Sequence, residues 1–474
     1  MADPIKYETN EPVAAVIEFL EKADENYLAS KVLDVFVRYS NNIEQLNLLA
    51  KLYLDIRDIP NAIKYANDVL ALTTTPEQKY NARANLAKMY NNVNMPAESL
   101  SHSNINRMIT PSDPDTLLEL VFSLYLLNRK DDAETILRDL KAKEHTLSER
   151  HRNIVDFNLG TYNMEQGHFL KGLAGFLINI KKLELWFSSR ELPYEYWSGG
   201  IYPGRTLILF MEGGGIGDEF ITVRWMDDLK ALGFNPIYYT GRPDIANIFN
   251  RCGYETVLNL DNVPTDSLWT YAMQVPLWLE VPPEKVLREY YLYPSAQARA
   301  QWKINSDEVI RIGIRWSGNK KNERDLHRQI PLASIMSMLH EVYDHLPEGK
   351  VEYYSLQVGD GIEELDDYPE IIDHTPCIHS YDDTLAFLET LTFVISSCTS
   401  VLHAAAIVGT KTYGVIPISA YFTWLSPPIG DRSKNTSIWY GDNLTLYRQV
   451  KIKSWDEPLY DLKVTLMSEL DELI

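Results

Sequence analysis

The sequence predicts an α + α/β protein in which tetratricopeptide-like α-hairpin repeats precede two Rossmann-like lobes. Two observations support this prediction. From about residue 11 to residue 187, apolar residues recur at steps of three and four, which indicates helices. From Ile201 onward, short β-branched and aromatic runs alternate with turns and helical segments, which indicates parallel sheets covered by helices.

The helical region has a repeating register. Leu49, Leu86, Leu120 and Leu159 begin equivalent segments at spacings of 37, 34 and 39 residues. A helical hairpin of about 34 residues is the unit of tetratricopeptide repeats. Small residues recur where helices would cross, at Ala50, Ala62, Ala87, Ala133, Gly160 and Gly172. We therefore predict tetratricopeptide-like repeats over 1–187, with a generic helical bundle as the alternative.

The last predicted hairpin, Asn158–Trp186, runs directly into the α/β region, so we expect it to pack there. We expect residues 1–150 to be dispensable for nucleotide binding but to contribute to the use of an acceptor.

Composition and charge exclude several classes of protein. The chain has 474 residues, too many for one hydrophobic core, and a formal net charge of −21 that disfavours nucleic acids and anionic membranes as partners. We find no run of eighteen apolar residues and no apolar signal-peptide core, and therefore expect no transmembrane segment. Cys252, Cys377 and Cys398 are scattered without metal-ligand spacing, so we predict a cytoplasmic protein and no metal site.

The α/β region divides into two predicted lobes. We assign residues 188–296 to a lobe that faces the acceptor, and residues 297–474 to a donor-side lobe with a closing helix. Pro282-Pro283 and the polar segment 297–308 mark the expected hinge. The predicted strands are Thr206–Met211, Asn235–Thr240, Ile310–Trp316, Glu352–Gln357, Phe393–Ser396 and Lys411–Ile416.

A glycine-rich turn follows the first of these strands. It reads Glu-Gly-Gly-Gly-Ile-Gly-Asp from Glu212 to Asp218 and leads into a helix. Glycines let a ligand approach the backbone, and a helix N-terminus offers free N–H groups to an anion. The alternative is that Asp218 is a plain N-cap, in which case asparagine would serve equally well and stability would be nearly unchanged.

Two further segments place polar residues at strand ends. The strand ending at Trp316 continues into Ser317-Gly318-Asn319-Lys320 and then Arg328, which could hold a diphosphate unless the loop is simply solvated. The strand ending at Ser396 continues through Thr399 and Ser400 into an Ala-rich helix carrying His403. Hydroxyl groups at a helix start suit phosphate oxygens, although a lone histidine is more often packed than functional. Open α/β sheets bind ligands at this edge.

These motifs, in this order, resemble the tetratricopeptide-repeat glycosyltransferases, which are similar to the heptosyltransferase family and more distantly to the O-GlcNAc transferases. The resemblance covers nearly the whole chain from the repeats onward. Its matching segments are Trp197–Gly200, Gly204–Leu207, Glu212–Asp218, Gly313–Asn319, Arg328 with Ile330–Leu332, Ser355–Gln357, Val394–His403 and Leu446–Gln449 before Trp455.

The resemblance implies a GT-B fold and metal-independent transfer from a nucleoside-diphosphate sugar. It implies Asp218 as the general base, and we expect an inverting reaction with a UDP-sugar as first choice and a GDP-sugar as second, without a prosthetic group. An acceptor protein or glycan would engage the repeats. The expected donor-binding residues are Gly217, Ser317, Asn319, Lys320, Arg328, Gln357, Thr399, Ser400 and His403.

The sequence departs from the family at Cys398, where an acidic residue is usual, and at Ala420–Trp424, where Asp and Arg are usual. A non-catalytic repeat scaffold with a degenerate glycosyltransferase-like binding module is therefore the main alternative. A nucleotide-sugar epimerase is a third interpretation. A dinucleotide-binding dehydrogenase is disfavoured because the glycine pattern fits poorly and the strand ending at Thr240 lacks a terminal acidic residue.

Overall fold

The structure is a computed structural model that divides into two compact units, Met1–Ile136 and Leu137–Ile474. None of the helices in the described part of the chain combines the length and apolar character that a membrane crossing requires. The described residues are 20, 26–37, 42–177, 193–211, 214–303, 309–319, 325–427 and 435–473.

The first unit is built from helices whose starts are encoded locally. Proline occupies a first-turn position in α3 to α6, where its missing N–H costs no helical hydrogen bond. Asp58, Thr75 and Asp113 cap three of these helices through their side chains. The helices are α1 Asn26–Val37, α2 Ile43–Asp55, α3 Ile59–Leu72, α4 Pro76–Asn92, α5 Pro96–Ile109, α6 Pro114–Leu126 and α7 Lys130–Ala142, the last of which runs into the second unit.

The hairpins of this unit pack through the small and leucine residues of the repeating register. α2 packs on α3 and α4 packs on α5. Leu49, Ala50, Ala62 and Leu86 are buried between the helices. The helical hairpins predicted around Leu49 and Leu86 are therefore confirmed.

The second unit begins with a helical hairpin, α8 Glu149–Glu165 and α9 Phe169–Phe176. The two helices touch at glycines: a Cβ atom on Gly160 would lie 2.6 Å from the backbone nitrogen of Phe176. The hairpin starts nine residues earlier than predicted, and the part of the prediction after residue 177 lies outside the described residues.

The first α/β lobe is a parallel sheet in the order β1-β5-β2-β3-β4. Its two predicted strands are confirmed as β2 and β3, while β1, β4 and β5 were not predicted. The strands are β1 Glu195–Tyr196, β2 Thr206–Phe210, β3 Asn235–Tyr239, β4 Thr256–Val257 and β5 Leu268–Tyr271. The helices are α10 Ile216–Val223, α11 Trp225–Ala231, α12 Pro243–Arg251 and α13 Val275–Trp278.

The second lobe is a sheet in the order β11-β12-β10-β9-β6-β7-β8, parallel except for the pairing of β11 with β12. Its predicted strands are confirmed, and the C-terminal helix α19 packs on α16. The strands are β6 Ile310–Arg315, β7 Val351–Ser355, β8 Ile371–Asp373, β9 Phe393–Ser396, β10 Lys411–Ile416, β11 Thr436–Ser437 and β12 Gly441–Arg448. The helices are α14 Ala296–Gln301, α15 Asp325–Arg328, α16 Leu332–Tyr343, α17 Tyr381–Leu388, α18 Ser400–Ile407 and α19 Asp456–Leu473.

The two lobes share one hydrophobic core. Phe220 of α10, Leu402 of α18 and Trp424 belong to the same continuous cluster of buried side chains. Since α10 follows β2 and α18 follows β9, the packing of these two helices in one cluster brings together the carboxyl ends of strands from both sheets. The fold of helical hairpins followed by two Rossmann-like lobes is thus the one that the sequence predicts.

Candidate active site

Asp218 lies in the first turn of α10, where the glycine-rich turn ends. Gly215 is the N-cap of this helix, and the Asp218 carboxylate reaches back to accept a hydrogen bond from the Gly215 N–H (Oδ2 to N, 2.7 Å). Asp218 therefore occupies the third helical position, and its interpretation as an N-cap is wrong. Glu212, which begins the predicted turn, lies outside the described residues.

The environment of Asp218 makes its carboxyl group unusually basic. The residue is 9% exposed. Burial raises the pKa of Asp218 from 3.8 to about 6, because the charged form loses hydration. The Gly215 N–H, the Tyr421 hydroxyl and the charge of Arg242 oppose this shift without cancelling it. The Asp218 carboxylate can therefore accept a proton at a pH close to neutral.

Arg242 fixes the glycine-rich turn beside Asp218. Its guanidinium donates to the buried Glu219 carboxylate and to the carbonyl oxygen of Gly214 (3.1 Å). The Thr240 hydroxyl donates to both Glu219 oxygens at 3.1 Å. Burial raises the pKa of Glu219, and its ion pair with Arg242 opposes that rise. The turn is thereby tied to the end of β3, and the Arg242 side chain remains 42% exposed.

Gly217 of the first lobe lies in close contact with the second lobe. A Cβ atom at this position would lie 2.6 Å from Cδ2 of His403 in α18, so only glycine allows this approach. The His403 ring packs at a tilt of 33° against Trp424, with 4.5 Å between centroids, and its Nδ1 hydrogen bonds with the Tyr440 hydroxyl at 2.8 Å. Burial, reinforced by the charge of Arg224, lowers the pKa of His403 to about 3. His403 is therefore neutral at physiological pH and serves the lobe contact.

Arg224 also connects the two lobes. This side chain is fully buried and donates to the carbonyl oxygens of Val286 (3.2 Å) and Trp439 (3.0 Å) and to the Tyr291 hydroxyl (2.6 Å). Its guanidinium also lies over the Tyr440 ring at 5.0 Å. One cation thus joins two parts of the first lobe, the end of α10 and the stretch from Val286 to Tyr291, to Trp439 of the second lobe.

Arg328, Thr399 and Ser400 lie close together in the second lobe. Arg328 packs on Gly318 and donates to the Cys398 carbonyl oxygen at 3.0 Å, which joins the loops after β6 and β9. The Thr399 hydroxyl hydrogen bonds with Ser396 Oγ (3.1 Å) at the start of α18. Ser400 Oγ hydrogen bonds with the Tyr381 hydroxyl at 2.9 Å. The structure therefore gathers these predicted residues around one helix N-terminus.

The remaining predicted donor residues divide into a buried pair and an exposed end. The Ser317 N–H donates to Gln357 Oε1 at 3.0 Å, and Gln357 donates to the Asp360 carbonyl oxygen. Both Ser317 and Gln357 are buried, so this pair shapes the loops after β6 and β7. Asn319 is exposed at the end of the described loop, and Lys320 lies outside the described residues.

Cys398 and the segment Ala420–Trp424, where the sequence differs from the glycosyltransferases that it resembles, are in contact. The Trp424 indole N–H donates to Cys398 Sγ at 3.2 Å. Burial raises the pKa of the Cys398 thiol, which keeps it protonated. In the described part of the chain, no group of three His, Cys, Asp or Glu side chains is arranged to hold a metal ion.

Sequence reasoning missed Arg242, Arg224 and Tyr421. Arg242 follows β3 closely, so the rule that strand ends meet at a ligand site could have found it. Tyr421 was noted only as part of a departure from the family. Arg224 carried no signal, because a charged residue inside an apolar helix pattern is usually on the surface.

No protein-family model and no curated protein sequence matches the chain. Solved structures similar to it include a mutant O-GlcNAc transferase of Thermobaculum terrenum, at 11% identity and a TM-score of 0.40, over 98% of this chain and 92% of that one. A family 9 glycosyl transferase of Veillonella parvula is 9% identical with a TM-score of 0.40, over 58% and 98%. The ADP-heptose lps heptosyltransferase II of E. coli is 10% identical with a TM-score of 0.34, over 56% and 99%. These are the classes of protein that the sequence resemblance names.

Proposed function

We propose that the chain is a glycosyltransferase that moves a sugar, with inversion, from a nucleoside diphosphate to an acceptor hydroxyl without a metal ion. The observation that carries this proposal is Asp218, a buried carboxylate whose pKa is raised to about 6 and which lies where the strand ends of both lobes meet. A carboxylate of this kind is suited to general-base catalysis near neutral pH.

Asp218 takes the proton of the acceptor hydroxyl as that oxygen attacks the anomeric carbon. With a pKa of about 6, roughly nine-tenths of the Asp218 carboxylates are ionised at pH 7. Burial makes each of them a stronger base than an exposed aspartate, because the protonated form is favoured in a site with little water. The new glycosidic bond forms as the bond to the leaving diphosphate breaks.

The second lobe binds the donor and stabilises the leaving diphosphate. Thr399 and Ser400 present hydroxyl groups at the N-terminus of α18, whose first-turn N–H groups favour an anion. Arg328 supplies positive charge at the same loop. Asn319, in the loop after β6, is the next proposed donor residue, and we also assign Lys320 to the donor, although it lies outside the described residues. Removing one such preorganised donor from a catalytic site commonly costs about 3–4 kcal/mol of transition-state stabilisation.

The alternative of a non-catalytic scaffold also has an observation in its favour. Trp424 and Cys398 hydrogen bond with each other at positions where the glycosyltransferases that the sequence resembles usually have charged groups. A scaffold would bind a nucleotide or nothing in the cleft, and it would not turn over a donor. An epimerase would return a changed sugar that is still linked to the nucleotide.

A donor-turnover experiment distinguishes these functions. The full chain is first screened with UDP, GDP, ADP and dTDP in a thermal-shift assay, where ligand at 100 times its Kd stabilises the native state by about 2.7 kcal/mol. UDP-sugars and GDP-sugars are then incubated with the chain and a chelator, and the released nucleoside diphosphate is quantified. Release that depends on the chain supports the proposal. If no nucleotide binds and no donor is consumed, the chain is not a transferase of this kind.

A further inference from the structure

Tyr381 links the start of α18 to the helix that carries Asp218. It is the first residue of α17, and its hydroxyl hydrogen bonds with Ser400 Oγ at 2.9 Å. Its ring packs edge-on against Phe220 of α10, with 5.7 Å between the centroids. Phe220 lies two residues after Asp218 and is fully buried. One side chain of the second lobe thus contacts both the proposed donor site and the helix of the proposed base.

The first turn of α17 is fixed to the first lobe by polar contacts as well. Asp382 follows Tyr381, and its carboxylate forms a partly buried ion pair with Arg251 of α12 at 2.7 Å. The same carboxylate accepts a hydrogen bond from the Ser295 N–H at 2.9 Å. Because the backbone beside Tyr381 is held in this way, the Tyr381 side chain keeps its place between the two helices that it contacts.

The hydroxyl pair of Tyr381 and Ser400 has one arrangement that suits an anion. A serine hydroxyl has a single proton to donate and two lone pairs with which to accept. An oxygen of a diphosphate only accepts, so Ser400 has to give its proton to the phosphate, and Tyr381 then has to donate to Ser400. Burial raises the pKa of Tyr381, which keeps its hydroxyl protonated. In such a chain each hydrogen bond polarises the next, which strengthens the contact between Ser400 and the anion.

We propose that Tyr381 is a positioning residue for the donor: its ring is held against α10, and its hydroxyl orients the Ser400 hydroxyl toward the diphosphate. The inference rests on the proposed function, because it assigns Tyr381 a role through a proposed donor residue. It makes the affinity for the nucleotide depend on a residue that acts through Ser400 and has no contact of its own with the phosphate.

The test is a double-mutant cycle on the full chain with Tyr381→Phe and Ser400→Ala. The Kd is measured by calorimetry for whichever of UDP, GDP, ADP and dTDP binds the parent chain. Phenylalanine keeps the ring on Phe220 and removes the hydroxyl, so we expect Tyr381→Phe to raise the Kd by about three- to tenfold. Ser400→Ala should raise it by at least as much. Since Tyr381 acts through Ser400, the double variant should bind no more weakly than Ser400→Ala alone.

Tyr447→Phe is the matched control. Tyr447 of β12 is a buried tyrosine of the same lobe, and its hydroxyl donates to Thr465 Oγ1 of α19 at 2.8 Å. Each tyrosine variant therefore loses one hydrogen bond to a hydroxyl group, but only Tyr381→Phe should weaken nucleotide binding. An equal loss of affinity in both variants would reflect a general effect on the fold and would overturn the proposal.

The outcomes separate this inference from the proposed function. If the parent chain binds a nucleotide and Tyr381→Phe binds it equally well, or if the losses of the two variants add, the positioning role is refuted and the donor site stands. If Tyr381→Phe weakens binding only while Ser400 is present, but the parent chain consumes no sugar donor, the role of Tyr381 stands and the transferase fails. If the parent chain binds none of the four nucleotides, the donor site is wrong and the role of Tyr381 fails with it.

Discussion

The replacement Asp218→Asn should stabilise the second unit at pH 8 and have little effect on it near pH 4. The carboxyl is buried, and its pKa is raised from 3.8 to about 6 in the folded chain. The folded state therefore binds the proton more tightly than the unfolded state. The stability contribution of the protonated form is fully present below pH 3.8 and is lost as the pH rises through 6.

The magnitude follows from these two pKa values. Each unit of difference corresponds to about 1.36 kcal/mol, so the ionised carboxylate lowers the free energy of unfolding by about 3 kcal/mol above pH 7. Between pH 5 and pH 8 the loss grows by about 1.4 kcal/mol. Asparagine has no charge to bury, and its amide can accept from the Gly215 N–H as the carboxylate does. This differs from the expectation for an exposed N-cap, which would be nearly neutral.

Urea unfolding monitored by tryptophan fluorescence measures this effect. All ten tryptophans lie after residue 137, so the signal reports on the second unit. The difference between Asp218→Asn and the parent chain should widen in favour of asparagine as the pH increases from 5 to 8. Asp244→Asn, the same replacement in the exposed first turn of α12, corrects for the loss of one negative charge. A constant difference, or one that turns against asparagine with rising pH, would refute the raised pKa.

Further predictions concern the lobe contact, the repeats and the pH profile. Gly217→Ala should destabilise the second unit by about 1–3 kcal/mol, because its Cβ atom would meet His403. Gly241→Ala should not destabilise it, since a Cβ atom there meets nothing within 4 Å. The urea midpoints of both variants test this prediction. Removing residues 1–147 keeps the Ser148 cap of α8 and should preserve nucleotide binding in a thermal-shift assay, while transfer to the physiological acceptor falls. Full transfer would show that the repeats do not select the acceptor. The kcat/KM of the parent chain should decline below about pH 6, and a flat profile down to pH 5 would remove Asp218 as the base.

The sequence predicted the elements of the fold well wherever a local pattern defined them. β9 and β10 have the predicted bounds, because each is an apolar run that ends at polar or small residues. β4 and β5 were missed, since a strand of two to four residues beside loop-like polar segments has no reliable period. A predicted boundary at residue 150 falls inside the first turn of α8, because a helix start is set by its cap, Ser148, rather than by the apolar register.

The candidate site was predicted at the level of strand ends but not at the level of contacts. Asp218, Arg328 and Ser400 were predicted because polar residues follow predicted strands. Their partners could not be found, because they come from distant parts of the chain: Arg328 donates to the Cys398 carbonyl oxygen, and Ser400 hydrogen bonds with the Tyr381 hydroxyl. The raised pKa of Asp218 likewise depends on the folded chain, because it results from burial.

Single-turnover transfer by Asp218→Asn tests the central claim most directly. The parent chain, Asp218→Asn and Asp244→Asn are each saturated with a sugar donor that carries the nucleotide found in the thermal-shift screen. The glycosylated acceptor is then quantified at pH 7.5. Asparagine cannot accept the proton, so the rate should fall by roughly 10²–10⁴-fold while the donor Kd and the folded fraction are retained. Asp244→Asn should transfer at the parent rate. Transfer by Asp218→Asn within a few-fold of the parent chain would contradict the assignment of Asp218 as the general base.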